Sequence, residues 1–218
     1  MTIGVSDTFS TTFDFRFTGT GGIAPANGIT FVLAADPSGL GVGAGGLGYA
    51  GVTNSFALEF DAFNNTEGSS NHVAIDVGGV LGDHDLSEAY GQQFCDFSNT
   101  NARPGCMSNG DLWSVTISYD GANLSASVWD KSGTFAEGAP YTVYSNFPAN
   151  IAGFLGTNTA YVGFTASTSS GYENHDILNW QFSDSAQLTS ATPEPATLGL
   201  LFGGLAGFVL VKRRRGRK

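Results

Sequence analysis

The chain has 218 residues, 41% hydrophobic and only 13% charged, against about 25% charged in an average globular domain. Six of the nine Lys and Arg lie in the last seven residues, so residues 1–211 carry three basic and nineteen acidic side chains, a net of −16. That balance argues against nucleic acid, whose phosphates need Lys and Arg, and is compatible with divalent cations and neutral ligands.

The length suits one large domain with appendages. The 31 Gly and 17 Phe favour strands and tight turns over helices. At the N-terminus, MTIGVSDTFSTTFDFRF has neither the basic start nor the apolar core of a signal peptide. It already reads as a strand, with Phe13, Phe15 and Phe17 alternating. The true start is therefore expected upstream, with a signal peptide and an early strand before Met1. Alternating apolar runs then follow between turn residues: ITFVL, FALEF, VAIDV, WSVTISY, LSASVW, YVGFTA and ILNWQF. Eight or more such strands predict two packed antiparallel sheets or a barrel. DLSEAYGQQF predicts at most one short helical turn. Residues 39–51, GLGVGAGGLGYAG, form a glycine loop that lacks the GK[ST] and following helix of a phosphate loop. Cys95 and Cys106 bracket a polar loop, where they form a disulfide in an oxidising compartment or stay as two thiols. Trp113, Trp129 and Trp180 fall in strand patterns and are expected in the core.

The chemistry concentrates in FALEFDAFNNTEGSSNHVAID, residues 56–76. Phe56, Leu58 and Phe60 point to one face of a strand; Ala57, Glu59, Asp61 and Phe63 point to the other. Two carboxylates two residues apart on one face repel, so they need a cation, a proton or solvent. The following loop offers short oxygen donors, and His72 opens the next strand. This mixed set suits an all-oxygen Ca2+ site beside a Mn2+-type site that takes the imidazole. A catalytic carboxylate pair and a solvated sheet edge are the other readings.

Residues 192–218, TPEPATLGLLFGGLAGFVLVKRRRGRK, join an uncharged run, 196–211, to a basic tail, 212–218. The run is slightly short for a bilayer core of about 30 Å, but flanking Lys and Arg can snorkel. As a transmembrane helix it would leave the basic end cytoplasmic and the body outside. Pro193-Glu194-Pro195, the apolar run and the basic end resemble the PEP-CTERM sorting signal of Gram-negative bacteria. That resemblance implies export, transient inner-membrane anchoring and processing by an exosortase in a bacterium that makes extracellular polysaccharide. The chain thus divides into a body at 1–185, a linker at 186–192 and a sorting signal at 193–218.

ANGITFVLAADP, GGLGYAGVTNSFALEFDAFNN, NHVAIDV and VGFTASTSSGYENHDILNWQF together resemble the L-type (legume-type) lectin family. The resemblance covers about residues 5–183. It implies an all-β, concanavalin A-like antiparallel sandwich. It also implies Ca2+ on Asp61, Asn65, Glu67 and the Phe63 carbonyl, and a Mn2+-type metal on Glu59, Asp61, Glu67 and His72. Glu67 is one methylene longer than the Asp usual in the family. Sugar contacts would come from Asn27, Gly46, Phe63, Asn65, Gly171 and Tyr172, with Ala26–Asn27 the counterpart of a cis peptide. The family's sugar-binding Asp is Asn27 here, which exchanges a two-oxygen acceptor for one oxygen and an NH2 donor. The expected function is an exported carbohydrate-binding protein of the envelope or matrix, with a glycan or exopolysaccharide as partner and no enzymatic activity. A structural surface protein with the same fold is the alternative. A glycoside hydrolase is disfavoured because Asn64, at the would-be acid position, cannot donate the required proton.

Overall fold

The computed structural model describes residues 2–4, 8–23, 25–63, 65, 72–82, 107–132 and 140–184. Within them ten strands form two five-stranded antiparallel sheets. The strands are β1 (Thr2–Gly4), β2 (Phe9–Gly22), β3 (Gly28–Ala34), β4 (Ser55–Asp61), β5 (His72–Val77), β6 (Trp113–Tyr119), β7 (Asn123–Asp130), β8 (Tyr141–Pro148), β9 (Thr159–Ser167) and β10 (Gly171–Ser183). The first sheet runs β1-β9-β3-β4-β5 and the second β10-β2-β6-β7-β8. Each sheet turns one alternating set of side chains inward, and the two sets meet as a single core.

Aromatic residues dominate that core. Phe9, Phe13, Phe15 and Phe17 of β2 are all buried. Phe13 meets Phe60 edge-on at 5.7 Å, and Phe15 stacks on Trp113 at 6.2 Å. Each fully buried Phe contributes about 1.5–3 kcal/mol relative to exposure. The inward phase of β4 is Phe56, Leu58 and Phe60, as its alternation predicts. Its outward phase is buried too, because the segment between β3 and β4 folds back over the first sheet. Val32, Ala34, Tyr49 and Ala57 make a second, smaller apolar cluster there.

That covering segment holds itself in shape. Gly41 N–H donates to the Gly48 carbonyl at 2.8 Å, and Val42 bridges Ala50 around a 3-10 turn at Ala44–Gly46. A Cβ on Gly41 would lie 2.4 Å from the Tyr49 carbonyl carbon, so the close approach requires glycine. The Tyr49 hydroxyl accepts from Ser55 Oγ at 2.8 Å and from Gly79 N–H at 3.2 Å. Burial pushes its pKa well above the ordinary phenol range.

Three elements go beyond the sequence reading. β1 is only three residues long. β8 reads YTVYSNFP, where Asn146 sits at φ 52° and breaks the alternation. A five-residue helix, α1 (Ile151–Leu155), is capped by Asn150, whose side chain accepts from Gly153 N–H at 3.0 Å. One expectation is corrected in part: Trp113 is buried in the core, but Trp180 is 39% exposed. Trp129 shares the outward phase of β7 with Ser125 and Ser127, while Leu124, Ala126 and Val128 point in. Among the described residues no helix is long and apolar enough to cross a membrane. The predicted span 196–211 lies outside them.

Candidate metal centre and ligand site

The site forms where β4 ends and β5 begins. Antiparallel register sets Asp61 opposite His72 and Glu59 opposite Ala74. Glu59, Asp61 and His72 therefore share the outer face of the first sheet, all three buried. Each offers a ligand atom within 4.8 Å of the other two. His72 Nε2 and Glu59 Oε1 are 3.0 Å apart. Just past the strand, Phe63 N–H donates to Asp61 Oδ1 at 2.6 Å, and Asn65 Nδ2 donates to the Phe63 carbonyl at 3.3 Å. Two buried carboxylates beside an imidazole form the donor set that a divalent cation neutralises, and they are costly without one. The residues present thus fit a metal.

Asn27 lies on the neighbouring strand entry. The Ala26–Asn27 peptide is cis. Asn27 N–H donates to the Ser167 carbonyl at 3.0 Å, and its own carbonyl accepts from Ala62 N–H at 2.7 Å. Gly28 pairs with both Asp61 and Ser167. The Asn27 backbone is thereby tied directly to the residue after Asp61. Its side chain is buried, yet Oδ1 has no hydrogen-bond partner among the described residues. A buried acceptor left unsatisfied costs about 1–3 kcal/mol.

The glycine loop closes the other side. Gly46 is buried in the 3-10 turn, and the adjacent Gly45 packs its α-carbon against the Asn65 side chain. Thr165 Oγ1 donates to the Leu47 carbonyl at 3.0 Å, and Ser167 Oγ to the Ala44 carbonyl. The sequence reading did not single out Thr165 or Ser167. Their signal is an alternating hydroxyl pair in FTAS, but its meaning depends on a loop more than a hundred residues away. Gly171 opens β10 opposite Gly22, and the exposed Tyr172 lays its ring over Gly21, on the second sheet. Glu67, Cys95, Cys106, Pro193, Glu194 and Pro195 lie outside the described residues.

The model of the legume lectin domain matches residues 2–197. The chain belongs to that family. A second family model, the PEP-CTERM protein-sorting motif, matches residues 191–215. This legume lectin domain is similar to L-type lectin-domain containing receptor kinase VIII.1 of Arabidopsis thaliana, with 29% identity over 81% of the chain and 24% of the relative. The chain spans about a quarter of the length of the receptor kinases it matches. It is 30% identical to the basic agglutinin of Psophocarpus tetragonolobus over 74% of the chain and 62% of the agglutinin. Among solved structures, winged bean acidic lectin complexed with methyl-α-D-galactose superposes with a TM-score of 0.63 at 26% identity, covering 84% of this chain and 75% of that one.

Proposed function

We propose that this protein is an exported lectin that binds a glycan or exopolysaccharide through a metal-ordered site. The observation that carries this reading is the coupling of a buried Glu59–Asp61–His72 cluster to the unsatisfied Asn27 side chain through the Ala62–Asn27 hydrogen bond. Glu59, Asp61 and His72, joined by Glu67, Asn65 and the Phe63 carbonyl, would hold Ca2+ and a Mn2+-type ion. Bound metal would supply no reaction; it would neutralise the acids and fix Asn65, Phe63 and Asn27 before sugar arrives. Gly46, Gly171 and Tyr172 complete the proposed contacts. The winged bean structure, determined with a methyl galactoside, supports a saccharide as ligand.

The sorting-motif match at 191–215 supports export and exosortase processing. On this reading the body at 1–185 sits outside the inner membrane of a Gram-negative cell. The 196–211 helix spans that membrane transiently, and the 212–218 tail remains cytoplasmic. Binding rather than turnover is the activity, since Asn64 replaces the proton donor a hydrolase needs.

A glycan array probed with Ca2+ and Mn2+, and again in EDTA, tests the reading. Metal-dependent binding to at least one glycan is expected; no binding to any glycan with metals bound would refute it. Neutral Asn27 favours a second reading, a surface protein that keeps the fold without sugar recognition. Asn27→Asp decides between them: binding gained only in that variant selects the structural role.

A further inference from the structure

The outer face of the second sheet carries a depression of about 270 Å³ over β6, β7 and β8. Its polar lining is supplied by hydroxyls, with no charged side chain. Thr116, Ser118, Ser125, Ser127 and Thr142 all open onto it. Strand register orders them, with Thr116 opposite Ser127, Ser127 opposite Thr142, and Ser118 opposite Ser125. Neighbouring strands are about 4.8 Å apart, so the hydroxyls form a grid on a rigid support. At its edge, Trp129 continues the same face two residues beyond Ser127 along β7. Its indole is half-buried and is not among the side chains packed against either apolar cluster.

We propose that this face is a second, metal-independent saccharide site that takes a neutral polysaccharide strand. Each hydroxyl both donates and accepts, so the grid complements a ligand that is itself a row of hydroxyls. Trp129, partly exposed on the same face, is the aromatic side chain proposed to meet the C–H face of a pyranose ring. An anionic ligand finds no cation here, because Lys131 is held by Asp14 at 2.8 Å. An aliphatic ligand would strip water from the hydroxyls without replacing it. A second copy of the chain fits poorly. Stable homodimer interfaces are about 65% apolar, and none of the large exposed apolar side chains, Ile23, Leu40, Val42, Val80, Tyr161, Tyr172 and Trp180, stands on β6, β7 or β8. The face shares no residue with the Glu59–Asp61–His72 cluster, so the two sites stand or fall separately.

The test is affinity electrophoresis of the full chain in EDTA, through gels containing dextran, galactomannan, xyloglucan or mixed-linkage β-glucan. At least one polymer is expected to retard the protein. Trp129→Ala should weaken that retardation about tenfold, equivalent to losing one ring stack plus its water exclusion. Trp129→Phe, which keeps a flat ring and guards against a folding defect, should retain most of it. Thr116→Val combined with Ser127→Ala should weaken it by a smaller factor. Three outcomes overturn the proposal: no retardation by any polymer in EDTA; retardation untouched by Trp129→Ala; or a dimer in sedimentation that these substitutions dissolve while no polymer is retained.

Discussion

Asp14 and the Glu59–Asp61 pair are both buried acid sites on the outer faces of their sheets, and they are balanced differently. Asp14 takes Lys131 Nζ at 2.8 Å and Asn179 Nδ2 at 2.9 Å. Burial raises its pKa, but the hydrogen bonds from Lys131, Asn179 and Ser114 outweigh that and hold it below the ordinary carboxylate value. Glu59 and Asp61 are more deeply buried, and their contacts include an imidazole and a backbone amide. The two described Lys and Arg side chains, Lys131 and Arg16, both pair with acids of the second sheet. One site is a finished ion pair that contributes to the fold; the other has the composition of a receptor for an added cation.

Metal should separate the two sites most strongly. Ca2+ with Mn2+ at about a hundredfold excess over the dissociation constant stabilises a folded state by about 2.7 kcal/mol. Thermal melts with metal and with EDTA should differ by several degrees. Glu59→Gln with Asp61→Asn should abolish that difference and make the EDTA form more stable than wild type, because the buried repulsion is gone. A metal shift that survives the double substitution would place the cation elsewhere.

Lys131→Met should cost about 1–3 kcal/mol with or without metal, a figure discounted because Lys131 is partly exposed. Asp14 has a folded pKa below its unfolded value, so its contribution is present above about pH 4 and is lost as pH falls through the folded pKa. Urea melts at pH 7 and pH 3 should therefore show a smaller pH effect in Lys131→Met than in wild type. If the substitution were harmless at pH 7, the contrast with the first sheet would fail.

Tyr49→Phe removes a hydroxyl that accepts two buried hydrogen bonds beneath the glycine loop. A loss of about 1–2 kcal/mol is expected, together with weaker metal retention if the covering segment supports the acid cluster. The smallest effect is expected from Asn150→Ala, about 0.5–1 kcal/mol for a lost N-cap. It should leave metal content untouched, which makes it the control for the others.

How legible these features were follows from the range of the physics behind them. β4 was readable because Phe56, Leu58 and Phe60 alternate with Glu59 and Asp61, and a two-residue period is a local signal. The Glu59–Asp61 face was readable for the same reason, and His72 joins it because the antiparallel register of β4 and β5 sets it opposite Asp61. β8 was not, since Asn146 and Pro148 interrupt its pattern. Trp129 was expected in the core from its strand pattern alone, although the alternation of LSASVW already placed it in phase with Ser125 and Ser127. Thr165 and Ser167 could not be read as loop anchors, because their partners lie 118 and 123 residues away.

Those two anchors bear on how freely this protein can change. Thr165 and Ser167 grip the glycine loop by the carbonyls of Leu47 and Ala44, and every residue type supplies a carbonyl. The hold is therefore indifferent to which side chains the loop displays, apart from positions such as Gly41 where backbone crowding admits no Cβ. Leu40 and Val42, both largely exposed, can be exchanged without loosening the attachment. The loop beside the acid cluster is thus open to evolutionary drift in what it presents, while the strands beneath keep it in place.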